Sequence, residues 1–226
     1  MGATVAIVIG PVRGGDLEFT RPSSSATRHT RGMTEGPAEL SDTVAAVDAV
    51  IRARRTSLLM DPADEVPRAL VDHLIELATW APNHKRTWPW RFTVLAGDAR
   101  HRFGEALAAV AATDPTRPPD KVAKLATKYA RSNVVVLVWV RLDGNELRRR
   151  EDRDAVAAAV QTLLLAATSF GLGNYWASLD DELADAARRF AGLDPDHDLV
   201  GLVYLGWPTG TVVAPARPTA AVRWMD

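Results

Sequence analysis

Arg54, Arg55 and Thr56 stand together where an apolar helical pattern runs out. Two guanidinium forks and a hydroxyl match the oxygens of a phosphoryl group. Taken alone, the same triplet also suits two arginines facing a helix C-terminal dipole. A second concentration of chemistry is the run Ala81-Pro82-Asn83-His84-Lys85-Arg86-Thr87-Trp88-Pro89-Trp90. Its tryptophans can cover a flat ring, and His84 and Lys85 can donate to the ring's carbonyl edge. A third is Gly171-Leu172-Gly173-Asn174-Tyr175-Trp176. Its glycines follow a helix instead of opening one and a third glycine is missing, so a dinucleotide fingerprint is rejected. A helix cap with close backbone approach is expected instead.

Composition narrows the chemistry further. The 226 residues include no cysteine, which removes disulfides, thiolate nucleophiles and Cys-ligated metal centres, so redox chemistry would need a bound cofactor. Twenty-seven basic and 28 acidic residues give a net charge of -1, with no global field favouring nucleic acid or an anionic membrane. No nucleophile elbow, Walker loop or HExxH pair occurs. Asp196, His197 and Asp198 sit where a helix-to-strand turn expects solvated polar residues, and metal binding is the weaker reading.

These residues need elements to hold them. Residues 13–36 are rich in Gly, Ser, Thr, Pro and Arg, and residues 1–40 are expected to be a mostly disordered extension of a single domain over 41–226. The apolar stretch 3–9 lacks the flanks of a secretory signal, so a cytoplasmic location is expected. Ser41 or Asp42 can cap a helix with Val44, Val47, Val50 and Ile51 on one face. A second helix is expected from about Pro67 until Pro82 stops it. A strand at 91–95 and helices at 99–111 and 121–129 follow. Residues 134–140 form an unbroken β-branched and aromatic run, which predicts a central strand covered on both faces. Residues 152–170 predict a buried helix that could serve a subunit interface. An extended piece at 174–178, a helix at 181–190 and a strand at 199–205 complete an α+β class with a mixed sheet flanked by helices.

In this order the pieces resemble the nitroreductase family, most closely the small subgroup whose loop reads Ala-Pro-Asp-His-Lys before a Pro-Trp pair. The resemblance runs from about Val44 to Pro208 and rests on Arg54-Arg55-Thr56, on Ala81-Pro82-Asn83-His84-Lys85 with Pro89-Trp90, on Gly171-Leu172-Gly173 with Trp176, and on Leu205-Gly206-Trp207-Pro208. It implies an intertwined homodimer with FMN at the subunit interface, NADPH or NADH as electron donor, and a nitroaromatic, quinone or similar small acceptor reduced by a ping-pong mechanism. Neither nucleic acid nor membrane is expected as partner, since the charges nearly cancel and no apolar run nears the roughly 20 residues of a membrane helix. Arg54, Arg55 and Thr56 would hold the FMN phosphate. Trp80, His84 and Lys85 would meet the flavin ring, the first two from the partner subunit. Trp176, Ala177 and Ser178 would line the flavin, and Ala166, Ala167, Thr168, Ser169, Phe170 and Gly171 would lie near the nicotinamide. Arg217 or Arg223 in the tail would add a phosphate ligand.

The chain departs from the family pattern at Trp88, where relatives often carry glutamine, and at Ala177, where they carry arginine. Past Thr56 it continues Ser57-Leu58-Leu59 without the usual basic residue, which leaves Lys85 to offset charge on reduced flavin. Two other readings stand beside the reductase. In one, the protein sequesters flavin with little turnover and Trp88 blocks the pocket. In the other, it is a cofactor-free helical interaction protein.

Overall fold

The computed structural model describes residues 42–226, so the extension expected through residue 40 lies outside the described residues. The chain divides into two units at the boundary between Ala53 and Arg54. The described part of the first is helix α1, Asp42–Ala53, which has no buried residue and exposes Val44, Val47 and Ile51.

The second unit is built around β3, Val134–Arg141, whose first seven side chains are all buried. A strand alternates its side chains between two faces, so seven buried residues demand a cover on each. Val134, Val136, Val138 and Val140 pack with Val71, Leu74 and Ala78 of α2, Arg68–Ala78, and with Val156, Val160 and Leu163 of α5, Glu146–Ser169. Val135, Leu137 and Trp139 point the other way. They meet Phe103 and Leu107 of α3, Ala99–Ala111, Leu125 of α4, Pro119–Lys128, and Leu183 and Ala187 of α6, Asp181–Phe190. Burying each such aliphatic side chain contributes roughly 1.5–3 kcal/mol. The Trp139 indole, drawn into the core, donates to Thr93 Oγ1 at 3.1 Å.

Strand order is β1-β5-β3-β2, and β4 also pairs with β5, where β1 is Met60–Asp61, β2 Trp90–Ala96, β4 Gly173–Ala177 and β5 His197–Pro208. Every ladder between these strands is antiparallel. The parallel component of the expected mixed sheet is confined to an isolated bridge between Thr56 and Asn174.

Helices α3 and α6 match their expected bounds. Helix α5 begins six residues earlier than expected because Asn145 caps it, its side chain accepting from the Arg148 amide at 3.0 Å. Helix α2 ends at Ala78, short of Pro82, with Thr79 as its C-cap. Strand β5 is longer than expected at both ends, since β3, β4 and β1 each use part of it. Among the described residues no helix is long and apolar enough to cross a membrane.

Helices α3 and α4 cross closely at Gly104, where an added Cβ would stand 2.8 Å from the Ala126 carbonyl carbon and 2.9 Å from the Leu125 oxygen. Both neighbours are backbone and cannot turn aside. Gly104→Ala should therefore destabilise the protein by about 1–3 kcal/mol despite the better helix propensity of alanine. Thermal unfolding checks this, and an unchanged midpoint would contradict the close crossing.

Candidate functional site

The structure gathers the candidate residues into two groups. The first is centred on Arg54, Arg55 and Thr56. Their backbone joins the sheet through the Thr56–Asn174 bridge and through the Ser57 amide, which donates to the Asn174 carbonyl at 2.9 Å. Asn174, 1% exposed, is held in turn from α5. Its Nδ2 donates to Thr168 Oγ1 at 3.0 Å and to the Leu164 carbonyl at 3.3 Å. This places the triplet beside β4, which carries Trp176 and Ala177, and beside the C-terminal turn of α5.

The geometry of β4 depends on small residues opposite it. Gly173 faces Gly206 across the ladder, and Met60 fills the space above the pair, its Cγ 3.3 Å from where a Gly173 Cβ would lie. Trp176 lies over Gly201, where a Cβ would sit 2.7 Å from both the indole Cδ1 and the Ala177 carbonyl. The indole is 39% exposed, so one side rests on the sheet and the other is open.

Arg54 and Arg55 are half-buried and Thr56 is exposed, with Arg54 Nη1 3.5 Å from Thr56 Oγ1 and Arg55 Nη1 donating to the Arg54 carbonyl at 2.7 Å. Burial holds the Arg54 guanidinium below the usual arginine range, and the charges of Arg217 and then Arg55 add to the effect. Arg217, proposed from the tail on sequence grounds, thus lies within electrostatic reach of Arg54. Among the described residues no carboxylate forms an ion pair with Arg54. Arg54 thus sits partly buried among like charges.

Of the six residues expected near a nicotinamide, Ala167 is fully buried in the core and Thr168 spends its hydroxyl on Leu164 and Asn174. Ser169 and Gly171 are exposed, Gly171 with φ +79°, and Ala166 and Phe170 are half-buried. Phe170 also meets His73 of α2 edge to face at 5.6 Å.

The second group stands at the other end of α5. Trp80, 77% exposed, donates from its indole to Glu76 Oε1 at 2.6 Å, and His84 and Lys85 are exposed on a short 3-10 turn, His84–Arg86. Lys85, Arg86 and Trp88 take φ of 60°, 54° and 48°, left-handed values without glycine. Each such residue costs of order 1–3 kcal/mol and persists only where its surroundings impose it. Asn83 imposes it here. Its Oδ1 accepts from the Trp88 amide at 2.9 Å and its Nδ2 donates to Thr87 Oγ1 at 2.9 Å, while Thr87 donates onward to Asp152 of α5. Trp88 is 53% exposed and touches Trp90 edge to face at 5.8 Å.

Asp152 anchors one group and Thr168 the other. Sixteen residues of helix separate them, about 24 Å at the helical rise of 1.5 Å per residue. The two groups therefore stand apart in one chain, and two cavities of about 530 Å³ and 350 Å³ are lined by neither. Asp196 Oδ1 and His197 Nδ1 approach to 2.6 Å without hydrogen-bond alignment, and among the described residues no three His, Asp or Glu side chains converge as metal ligands. Asn174, Asp152 and Gly201 are site-shaping residues that sequence reasoning did not assign. Only the break in apolar pattern at Asp152 and the glycine inside a strand at 201 hinted at them.

The profile of the family described as Nitroreductase family matches residues 51–207. "Putative NAD(P)H nitroreductase YdjA" of Escherichia coli (strain K12) is 28% identical over 166 residues, spanning 72% of this chain and 88% of that protein. Among solved structures, the nitroreductase-like family protein from Bacillus cereus superposes with a TM-score of 0.67 at 24% identity, covering 83% of this chain and 95% of that one. The FMN-dependent nitroreductase NfnB from Mycobacterium smegmatis in complex with NADPH gives 0.63 at 24% identity, covering 80% and 100%. At that identity the two structures speak for the fold.

Gly201→Ala should displace the Trp176 indole, because the Ala177 carbonyl behind it is backbone. A shifted tryptophan emission maximum in a folded variant is the expected result, and an unchanged spectrum would contradict the packing.

Proposed function

The chain belongs to the nitroreductase family, and on that premise we propose that it is an FMN-dependent NAD(P)H oxidoreductase whose acceptor is a nitroaromatic, quinone or similar small molecule. The observation that carries the proposal is the half-buried Arg54 beside Arg55 and Thr56, held against β4 by the Thr56–Asn174 bridge and, among the described residues, with no carboxylate ion-paired to Arg54. The two-electron chemistry is that of FMN when bound: hydride from NADH or NADPH in one half-reaction and reduction of the acceptor in the next, in ping-pong order.

The protein's own residues bind and orient. Arg54, Arg55, Thr56 and Arg217 hold the phosphate, and Trp176, Ala177 and Ser178 line the ring on the same chain. Ala166, Ser169, Phe170 and Gly171 offer the surface for the nicotinamide donor. Trp80, His84 and Lys85 meet the ring from the second chain. The separation of the two groups along α5 supports a site shared between subunits of a homodimer, as do half-buried apolar residues of that helix such as Ala158, Leu165 and Ala166. Lys85 supplies positive charge where reduced flavin would be negative. A cytoplasmic location accompanies the use of a nicotinamide donor. The exposed ring of Trp88 favours one second reading, a flavin-sequestering protein with little turnover, in which Trp88→Gln would raise acceptor reduction.

Absorption spectra with added FMN, followed by anaerobic titration with NADPH and NADH, test the proposal. Bound flavin that bleaches supports it, bound flavin that stays oxidised favours sequestration, and no uptake overturns both. For the phosphate site, Arg54→Gln and Arg217→Gln should each weaken FMN about tenfold or more, the scale of a charge-assisted hydrogen bond. Riboflavin, which lacks the phosphate, should be insensitive, and an equal loss of riboflavin would remove the arginines from that role.

A further inference from the structure

Asp152 is 2% exposed, a carboxylate drawn into the core from the second turn of α5, and its described partner is the Thr87 hydroxyl. Donor and acceptor roles in the chain that follows are fixed by elementary inventory. The Trp88 amide can only donate, so the Asn83 amide turns its oxygen to Trp88 and its nitrogen to Thr87. Thr87 must then accept from Asn83, which leaves its single proton for Asp152, a group that accepts. One arrangement satisfies every member, and it pins both ends of the segment in which Lys85, Arg86 and Trp88 hold left-handed backbone.

We propose that Asp152 is a positioning residue for the flavin site, acting through Thr87 and Asn83 to hold residues 84–88 in the backbone form that presents His84, Lys85 and Trp88. This rests on the reading of that loop as part of the flavin site. It also accounts for asparagine at position 83 in a loop that otherwise resembles Ala-Pro-Asp-His-Lys. An aspartate there would set a second carboxylate on a hydroxyl with one proton to give. The polarity of the chain can be inverted as a unit. When Asn83→Asp is combined with Asp152→Asn, the amide introduced on α5 donates to Thr87, and the Thr87 proton turns to the carboxylate introduced in the loop.

The test is a double-mutant cycle on the full chain with two readouts. In the apoprotein, exciton coupling of the Trp88–Trp90 pair in circular dichroism reports the loop without flavin. With FMN, the visible absorption band and the dissociation constant report the site. Asn83→Asp should lose the couplet, move the band toward that of free FMN and weaken FMN about tenfold, the size expected for coupled neighbours in one hydrogen-bond network. Asp152→Asn should keep the couplet, since its side-chain oxygen still accepts from Thr87. The double variant Asn83→Asp/Asp152→Asn should recover couplet, band and affinity together. A single Asn83→Asp variant with parental couplet and affinity, or a double variant no better than the single, overturns the proposal. If the parent protein takes up no FMN, the flavin reading is what fails, and the couplet still decides whether Asp152 positions the loop.

Discussion

Seven consecutive buried side chains on β3 impose the condition from which the rest of the architecture follows. A strand with no solvated face must be sandwiched, and alternation of its side chains assigns α2 and α5 to one side and α3, α4 and α6 to the other. Once α5 lies along the sheet as a continuous helix of 24 residues, the two functional groups inherit their places from it. Asn174 is tied to its C-terminal end and Thr87 to Asp152 near its start. The distance between the groups is thus a property of helix geometry, not of loop conformation.

How much of this was legible depended on whether a residue's role is written in its neighbours along the chain. Helices α3 and α6 carry periodicity between clear boundaries, and β3 is an unbroken β-branched run, so local pattern sufficed. The start of helix α5 is hidden from the apolar pattern because its first turns are charged, with Leu147 exposed, and its true start is a capping interaction at Asn145. Strand β1 is two residues long and exists only because Pro208 and Trp207 pair with it. At the candidate site, Arg54, Arg55 and Thr56 stand out by residue type, and of the two tail arginines Arg217 lies within electrostatic reach of Arg54. Asp152 and Gly201 do not announce themselves. Their roles lie in what comes to rest against them, a threonine 65 residues earlier and the Trp176 indole.

The triplet Arg54-Arg55-Thr56 is attached to the fold by backbone more than by side chains. The parallel bridge at Thr56 and the Ser57 amide bond fix the main chain against β4, while Gly173, Gly206 and Met60 let β4 and β5 come together beneath it. Rigid main chain under long, half-buried arginines is a preorganised arrangement, since the ordering cost is met in folding and not on ligand arrival. It also accounts for the depressed Arg54: burial and its arginine neighbours raise the free energy of its charged form before any anion arrives.

The loop at 83–88 is restrained from its inner side, through Asn83, Thr87 and Asp152, while His84, Lys85, Arg86 and Trp88 face outward. Anchor and display are carried by different positions. Such a division lets the displayed residues drift under selection while the anchor preserves their frame, so diversity of small-molecule preference among descendants can accumulate by single substitutions without a toll on folding.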